Sequence, residues 1–441
     1  MAQPLTILFM PESAYGPTNN CVGIGDALRR RGHRVVFAAE ASWNGRLDPL
    51  GFVEDLVDLA APPEPDPDAP PQDAGQFWKD FIRDTAPEFR KPTIEQLATF
   101  MQPTWQALID GAMYCEPQLR EIIAGQQPDV IVEDNVVAFP ALQTAGRPFV
   151  RIVSCNPLEI RGDGPGAGEI APAYSGLPAD DRSAWAAFRA EYDRTHRPMW
   201  EAFDAWCREQ GTAPLPDLEF IHTSRDLNLY VYPEVADYTD RRPLDSTWKR
   251  LDSSVRATDG DFELPAELAE RPADSALIYL SLGSLGSADV GLMKRLVAVL
   301  ADTPHRYIVS KGPQHAHYEL APNMWGAEFL PQTRIVPQVD LVITHGGNNT
   351  TTEAFHFGKP MVVLPLFWDQ YDNAQRVDET GFGVRLPTYA FGDDDLRGAI
   401  ERLLADAELR GRMARIGAEI QARDGVAKAA AAIEATGLAH R

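Results

Sequence analysis

A short apolar run followed by two glycines constrains the fold of this chain more than any other segment. Residues 340–343 (DLVI) lead into Thr-His-Gly-Gly at 344–347, and 348–353 (NNTTTE) follow. The glycines let the backbone approach a ligand without a Cβ clash, and the next turn offers unpaired N–H groups and the positive end of a helix dipole. The segment therefore predicts a strand, a turn and a helix whose N-terminus binds a diphosphate.

Side chains around this turn can add contacts to the same ligand. His345, Asn349 and Thr350 are potential hydrogen-bond donors, and Gly347 leaves room for the ligand. Glu353, one turn further along the helix, can reach ribose hydroxyls. We therefore expect the ligand to be a nucleoside diphosphate, such as that of a sugar nucleotide.

Apolar runs alternate with helical patterns in both halves of the chain, which predicts an α/β fold with parallel sheets. The run 5–10 (LTILFM) is typical of a central strand, the pattern after it of a helix, and 35–39 of the next strand. Gly23 and Gly25 lie inside that helix, whereas a dinucleotide-binding fingerprint needs its glycines in the turn. The sequence does not favour a nicotinamide-dependent dehydrogenase.

Further motifs follow the glycine turn in a fixed order. Residues 358–370 read GKPMVVLPLFWDQ, and Asn-Ala at 373–374 and Gly-Phe-Gly at 381–383 come next. Together with 344–353, this block resembles the donor-site signature of glycosyltransferase family 1, the UDP-glycosyltransferases that decorate natural products. The resemblance implies a GT-B fold, in which two Rossmann-like domains face each other across a cleft.

The resemblance also implies where each part of the donor binds. His345 and Thr350 would contact the diphosphate, Glu353 the ribose, and Asp369 with Gln370 the sugar hydroxyls. The family's base-binding element ends in Pro-Gln, which matches the LPQ of 330–332, and a second loop at 281–284 would bring a hydroxyl to the phosphates. The predicted donor-binding residues are Ser284, Leu330, Gln332, His345, Gly347, Asn349, Thr350, Glu353, Trp368, Asp369 and Gln370.

These patterns divide the chain into four parts. Residues 1–238 form an N-terminal, acceptor-binding Rossmann-like domain, and the acidic, polar stretch 239–275 is the predicted interdomain linker. Residues 276–420 form the C-terminal domain that binds the nucleotide sugar. The resemblance implies that the last helix, within 421–441, packs back on the N-terminal domain.

Composition narrows the choice of partners. The 441 residues include 41 Lys and Arg against 64 Asp and Glu, a formal net charge of −23, so the surface repels nucleic acids and anionic lipids. The chain has no apolar stretch of the roughly twenty residues needed to span a bilayer, and its start resembles no signal peptide. We therefore expect a cytoplasmic enzyme, monomer or homodimer, whose partners are a nucleotide sugar and a small-molecule acceptor or glycoside.

No cofactor or metal is expected beyond the donor substrate itself. The four cysteines are far apart in sequence and lack the close pairs of zinc sites. The acidic run Asp393–Asp395 precedes a helical pattern, where carboxylates cap exposed N–H groups, so we assign it to capping. Protein groups and a helix end can stabilise a leaving diphosphate without a metal.

The catalytic base is where the sequence departs from the family. Relatives carry Gly-His-x-Asn-Pro after the first strand, and their histidine, oriented by a carboxylate, takes the acceptor's proton. The matching segment, 16–20, reads GPTNN, so Pro17 stands in place of the histidine. Proline has no proton acceptor in its side chain, so Asp134, which matches the partner carboxylate, or Glu12 is the candidate base. Asn19 is interpreted as a cap of the first helix.

Three activities remain open from the sequence. An acidic acceptor such as a phenol would need only a carboxylate base, which favours transfer of a hexose, with UDP-glucose as the expected donor, to a hydrophobic hydroxylated molecule with inversion. The same site could instead cleave glycosides in a nucleotide-dependent reaction, with a carboxylate as acid or base. The chain could also bind a nucleotide sugar without turning it over.

Overall fold

The computed structural model describes residues 3–61, 84–160, 170–272 and 274–441, and these residues contain two parallel sheets. The first sheet consists of β1 (Thr6–Pro11), β2 (Arg34–Phe37), β3 (Val53–Glu54), β4 (Val130–Asp134), β5 (Phe149–Val153), β6 (Leu227–Tyr230) and β7 (Trp248–Arg250). The second consists of β8 (Leu277–Ser281), β9 (Arg306–Ser310), β10 (Met324–Ala327), β11 (Leu341–Thr344), β12 (Met361–Val363) and β13 (Gly383–Arg385).

Helices connect the strands of both sheets. In chain order they are α1 (Tyr15–Arg30), α2 (Thr93–Gln96), α3 (Gln102–Gln126), α4 (Pro140–Gln143), α5 (Trp185–Glu209), α6 (Ala266–Ala269), α7 (Gly283–Gly286), α8 (Val290–Ala301), α9 (Gln332–Ile335), α10 (Asn348–His356), α11 (Gln370–Glu379), α12 (Asp393–Ala405), α13 (Ala407–Arg423) and α14 (Gly425–Ala439).

The strand order of each sheet places a ligand site at its centre. The first sheet has the order β3-β2-β1-β4-β5-β6-β7 and the second β10-β9-β8-β11-β12-β13, with every pairing parallel. The order reverses between β1 and β4 and between β8 and β11. Ligands of open α/β sheets bind at the carboxyl ends of the strands at such reversals, because the two loops there diverge and leave a crevice.

The core lies on both faces of the sheets because the strands are apolar on both sides. On one face of the first sheet, Val22, Ile24 and Leu28 of α1 pack with Ala430 and Ile433 of α14. The last helix of the chain thus contacts the first sheet. The opposite face is covered by α3 and α5, and this layer belongs to the larger core, which also contains the second sheet.

Two boundaries differ from the sequence-based divisions. The predicted linker 239–275 contains β7, Trp248–Arg250, which pairs with β6, so the first sheet extends beyond residue 238. A short edge strand with half-buried polar residues gives too weak a pattern to stand out in sequence. Before the last helix the chain breaks at Asp424, in the left-handed conformation, rather than at 420.

Two other sequence features have clear positions. The acidic run Asp393–Asp395 forms the first turn of α12, where the Asp395 carboxylate accepts from the backbone N–H of Gly392 at 2.8 Å, which confirms the capping role. Among the helices of the described residues, none is both long and apolar enough to cross a membrane.

Candidate donor and acceptor site

The predicted catalytic residues and the predicted diphosphate contacts lie where the strand order of each sheet reverses. In the first sheet, Glu12 follows β1 and Asp134 ends β4, next to it in register. In the second sheet, Ser281 ends β8 and Thr344 ends β11, and these two residues pair. Each candidate group is therefore fixed by a strand end, and the carboxyl edges of the two sheets supply the two halves of the site.

The turn after β11 requires its glycines. Gly346 has a φ of 86°, and a Cβ there would lie 2.8 Å from Cγ1 of Val363. A Cβ on Gly347 would lie 2.5 Å from Nε2 of His345. Helix α10 begins directly afterwards with Gly347 as its N-cap, and no side chain of the described residues caps it. The N–H groups of its first turn are therefore available to an anion, as the sequence indicates.

His345 lies between two glycine turns. Its imidazole is close to both Gly347 and Gly283, the residue before Ser284, so the loops after β8 and β11 meet at this side chain. Burial lowers the pKa of His345 to about 4, and a hydrogen bond with the backbone of Ser281 opposes this only in part. At neutral pH the ring is uncharged and has a single N–H, which can donate to a phosphate oxygen only when it is not donated to the Ser281 carbonyl.

The residues assigned to the nucleoside form one hydrogen-bonded group. Nε2 of Gln332 donates to Oγ1 of Thr350 at 3.1 Å and to Oε2 of Glu353 at 2.6 Å. Leu330 lies half-buried just before α9, which begins at Gln332. A residue that the sequence analysis did not single out, Arg256, donates to Oε1 of Glu353 at 3.3 Å.

The residues assigned to the sugar lie at the start of α11. Burial raises the pKa of Asp369 to about 7, and its Oδ2 accepts from the backbone N–H of Asn156 at 3.0 Å. Trp368 has a φ of 57° and packs on Trp105 of the N-terminal domain, with ring centroids 4.9 Å apart. Oε1 of Gln370 accepts from the backbone N–H groups of residues 366 and 367, which leaves its amide nitrogen for a ligand.

Asn349 differs from its expected role. Its Nδ2 donates to the carbonyl of Gly16 at 3.0 Å, and its Oδ1 accepts from Asn20 at 2.8 Å. The side chain therefore connects α10 with α1 across the cleft, and both of its polar atoms have protein partners in this arrangement. The sequence predicts a ligand donor here because the partner residues are more than three hundred positions away and invisible to local patterns.

The segment that carries Pro17 is helical rather than a loop. Helix α1 begins at Tyr15, so Pro17 occupies the first turn, where proline is tolerated because its missing N–H has no partner in the helix. The prediction that Asn19 caps this helix is wrong: Ala14 is the N-cap residue and Asn19 is already inside the helix. Pro17 still lines a cleft cavity with Glu12 and Asp134.

Two carboxylates occupy this cavity. Both oxygens of Asp134 are close to the Ser154 hydroxyl, at 2.7 and 2.6 Å. Burial raises the pKa of Asp134 to about 7, and the charge of Glu12 raises it further, whereas Ser154 and Arg151 lower it. Burial also raises the pKa of Glu12, whose carboxylate accepts from the Ser13 hydroxyl and from the backbone N–H of Ala14. A carboxylate that titrates near neutral pH can accept a proton from an acceptor.

The loop after β5 joins the two halves, and sequence reasoning missed it. Ser154 donates to Asp134, and the Ser154 carbonyl accepts from Nδ2 of Asn348 at 2.9 Å. Nδ2 of Asn156 donates to Oδ1 of Asn373 at 2.8 Å. The available signal was a run of small polar residues, Ser-Cys-Asn, directly after a buried strand, which is where site residues of parallel sheets lie.

The same loop contains a possible group of metal ligands. Ligand atoms of Cys155, Glu159 and Asp369 all lie within 4.8 Å of one another. Burial raises the pKa of the Cys155 thiol and of the Glu159 carboxyl well above their usual values. Because a metal needs deprotonated ligands, a cation bound here would have to displace the protons of these groups.

Two parallel-sheet, Rossmann-like domains that face each other across a cleft define the GT-B class. Comparison with known proteins agrees with this class. The family model described as the Erythromycin biosynthesis protein CIII-like C-terminal domain matches residues 294–435. Similar structures include the glycotransferase of kitacinnamycin, at a TM-score of 0.69 and 22% identity, with 99% of this chain and 100% of that chain covered.

The curated relatives are also named as glycosyltransferases. Oleandomycin glycosyltransferase of Streptomyces antibioticus is 27% identical over 408 residues, which are 91% of this chain and 84% of the relative. Demethyllactenocin mycarosyltransferase of Streptomyces fradiae is 24% identical over 412 residues, which are 91% and 79% of the two chains. These similarities support a natural-product glycosyltransferase that uses nucleoside diphosphate sugars, in agreement with the donor-site motif.

Proposed function

We propose that this glycosyltransferase moves a hexose from a nucleoside diphosphate sugar, with UDP-glucose as the lead donor, to a hydroxyl of a hydrophobic small molecule, and that the reaction inverts the anomeric centre. The observation that carries the proposal is the position of the uncapped α10 N-terminus across the cleft from the Glu12 and Asp134 carboxylates. One side holds a leaving diphosphate, and the other removes a proton from the attacking oxygen.

On the donor side, the leaving group acquires negative charge as the glycosidic bond to phosphate breaks. The N–H groups at the start of α10, the neutral His345 imidazole and the Thr350 hydroxyl are the donors that stabilise this charge. Because they are fixed by the glycine turn, they need little reorganisation during the reaction. Asp369 and the amide of Gln370 orient the sugar so that its anomeric carbon faces the N-terminal domain.

On the acceptor side, Asp134 takes the proton that a histidine takes in relatives. Its pKa of about 7 allows a large ionised fraction at neutral pH while keeping the group basic enough to accept a proton. The Ser154 hydroxyl orients the carboxylate, and Glu12 is the second candidate. A base with a pKa of about 7 removes a proton more readily from a phenol, whose pKa is about 10, than from an aliphatic alcohol, so an acidic acceptor suits this site best.

Aromatic side chains make the acceptor cavity suitable for a flat or hydrophobic molecule. Trp105, Tyr174, Tyr192 and Phe220 line it together with the carboxylates. Trp105 stacks on Phe220 with ring centroids 4.4 Å apart, which fixes both rings. A few polar groups among rigid aromatic rings are typical of small-molecule sites.

The nucleobase of the donor is the part of the proposal with the fewest structural constraints. A solved relative, the glycosyltransferase VinC, was determined in complex with dTDP, and it shares 17% identity with this chain at a TM-score of 0.65. Thymidine diphosphate sugars are therefore the natural competitors of UDP-glucose. Residues 329–332 and Arg256, which surround the nucleoside end, would make the choice.

The test is a direct assay of products. The protein is incubated with UDP-glucose or thymidine diphosphate glucose, alone and with phenols, aliphatic alcohols or glycosides, and nucleotide release and product mass are followed. Transfer predicts a glycosylated phenol that forms only in the presence of donor. Free sugar released from the donor or from a glycoside would indicate hydrolysis instead, and nucleotide-dependent stabilisation without any product would indicate a binding protein.

A further inference from the structure

The segment between the two sheets returns to the donor site. Arg256 and Asp259, both beyond β7, form a two-point ion pair, with Nε to Oδ1 at 2.6 Å and Nη2 to Oδ2 at 2.9 Å. Each side chain is only 12% exposed. The backbone at Arg256 lies against α1, because a Cβ on Gly23 would come within 3.4 Å of its Cα. The pair is thus held between the first helix and the second sheet.

Arg256 contacts the carboxylate that the family resemblance assigns to the ribose. Glu353 is 3% exposed, and its two oxygens accept from different donors, Oε1 from Arg256 at 3.3 Å and Oε2 from Gln332 at 2.6 Å. Burial raises the pKa of Glu353, and the Arg256 guanidinium is the largest influence that lowers it. An ionised carboxylate only accepts hydrogen bonds, so it can receive one from a ribose hydroxyl with its remaining lone pairs.

Asp259 contacts the element assigned to the base. Its Oδ2 accepts from the backbone N–H of Thr333 at 3.2 Å and from the Thr333 hydroxyl at 2.8 Å. Thr333 directly follows Gln332, so Asp259 fixes the first turn of α9. The two members of one ion pair therefore act on the two parts of the predicted nucleoside site, Arg256 on Glu353 and Asp259 on Thr333, which follows Gln332.

We propose that the Arg256–Asp259 pair is a positioning device for the nucleoside end of the donor, which lets Glu353 recognise ribose hydroxyls. The inference rests on the proposed donor site and adds residues outside the family's donor-site motif. It assigns a binding role to the interdomain segment. Arg256 acts through Glu353 and Asp259, so its loss weakens nucleoside recognition and leaves the chemistry at the anomeric carbon intact.

The experiment uses the full chain and a pair of matched ligands. Binding of UDP and of thymidine diphosphate to the wild type is first measured by calorimetry. The nucleotide that binds more tightly is then compared with its analogue that lacks the ribose hydroxyls. The variants are Arg256→Gln, Arg256→Lys and, as a control, Arg423→Gln. Arg423 bonds to Asp252 of the same segment at 2.7 Å, so its loss removes a comparable ion pair that does not reach Glu353.

We expect the wild type to prefer the hydroxylated nucleotide by about tenfold, the value of one hydrogen bond to a charged group. Arg256→Gln should lose most of this preference and raise the donor KM by a similar factor, with kcat little changed. Arg256→Lys, which keeps the charge but not the planar fork, should recover part of it, and Arg423→Gln should retain all of it.

The outcomes that overturn the inference differ from those that overturn the proposed function. An unchanged ribose preference in Arg256→Gln, or tighter nucleotide binding, would refute the positioning role, and the latter would show that the guanidinium competes with the ribose. The variant His345→Ala should weaken binding of both nucleotides equally. If His345→Ala has no effect on either nucleotide, the donor site itself is misassigned.

Discussion

The donor and acceptor sides of the cleft are built in different ways. On the donor side, the contacts that form the site are local: His345, Gly347, Thr350 and Glu353 lie within nine residues of one another, at one strand end and in the helix after it. On the acceptor side, the Asp134 carboxylate accepts a hydrogen bond from Ser154, which follows another strand. The donor side needs one backbone geometry, and the acceptor side needs several elements to converge.

This difference explains why one side matches the family motif and the other departs from it. A diphosphate is the same in every donor, and the turn that binds it tolerates few substitutions because an added Cβ would collide with neighbouring atoms. The acceptor side must fit a particular molecule and a particular proton transfer. Our proposal is that Pro17 replaces the histidine there because a buried carboxylate accepts the proton instead.

The largest expected effect is on the donor side. His345→Ala should lower kcat/KM by about 100- to 1000-fold, because a donor to the leaving diphosphate is lost in a site from which water is largely excluded. Both donor KM and kcat should change. The measurement is steady-state kinetics with the donor varied at saturating acceptor. Wild-type kinetics in this variant would contradict the proposed donor site.

The next effect tests the acceptor side. Asp134→Asn should lower kcat by about 100-fold, the typical contribution of a general base, with little change in donor KM. Since the pKa of Asp134 is raised to about 7, the wild-type rate should fall as the pH drops below about 7, where the carboxylate becomes protonated.

The matched variant is Glu12→Gln, because both carboxylates line the same cavity. We expect Glu12→Gln to keep most of the activity and the same pH profile. A severe loss in Glu12→Gln with an active Asp134→Asn would move the role of base to Glu12.

A third prediction concerns the backbone geometry of the donor side. Gly346→Ala should destabilise the protein by about 1–3 kcal/mol, since alanine at a φ of 86° is strained and its Cβ would collide with Val363. The control is Gly398→Ala in α12, where a Cβ would meet nothing within 4 Å, and which should be neutral or stabilising by up to about 1 kcal/mol. Denaturant unfolding measures both. Equal effects would mean that the turn is less constrained than its geometry indicates.

The smallest expected effect concerns Pro17, the residue at which the acceptor side departs from the family motif. Pro17→His places an imidazole next to Asp134 in the cavity, and we expect it to raise the rate with aliphatic alcohols relative to phenols by about tenfold or less, because an adjacent carboxylate makes the imidazole a better proton acceptor than the carboxylate alone. The measurement is the ratio of kcat/KM for the two acceptor classes in the variant and the wild type. An unchanged ratio would indicate that deprotonation of the acceptor does not limit the rate.

The predictions from sequence succeeded where the determinants are local. The alternating apolar runs and helical patterns gave an α/β fold of GT-B type, and the glycine turn gave a strand, a tight turn and a helix with a free N-terminus. The position of Asn349 was not predictable, because its partners Gly16 and Asn20 are on the other domain. Asn19 was expected to cap the first helix, but the helix already begins at Tyr15 and includes Pro17 in its first turn.

By itself the sequence determined the two sheets and the anion-binding turn, because burial of apolar strands and the steric requirements of Gly346 and Gly347 act over a few neighbouring residues. Only the tertiary structure decided which groups share the cleft. The pKa of Asp134, the partner of Asn349 and the contact of Arg256 with Glu353 each depend on desolvation or on atoms from distant segments. Such effects arise when the chain has folded, and no short stretch of sequence encodes them.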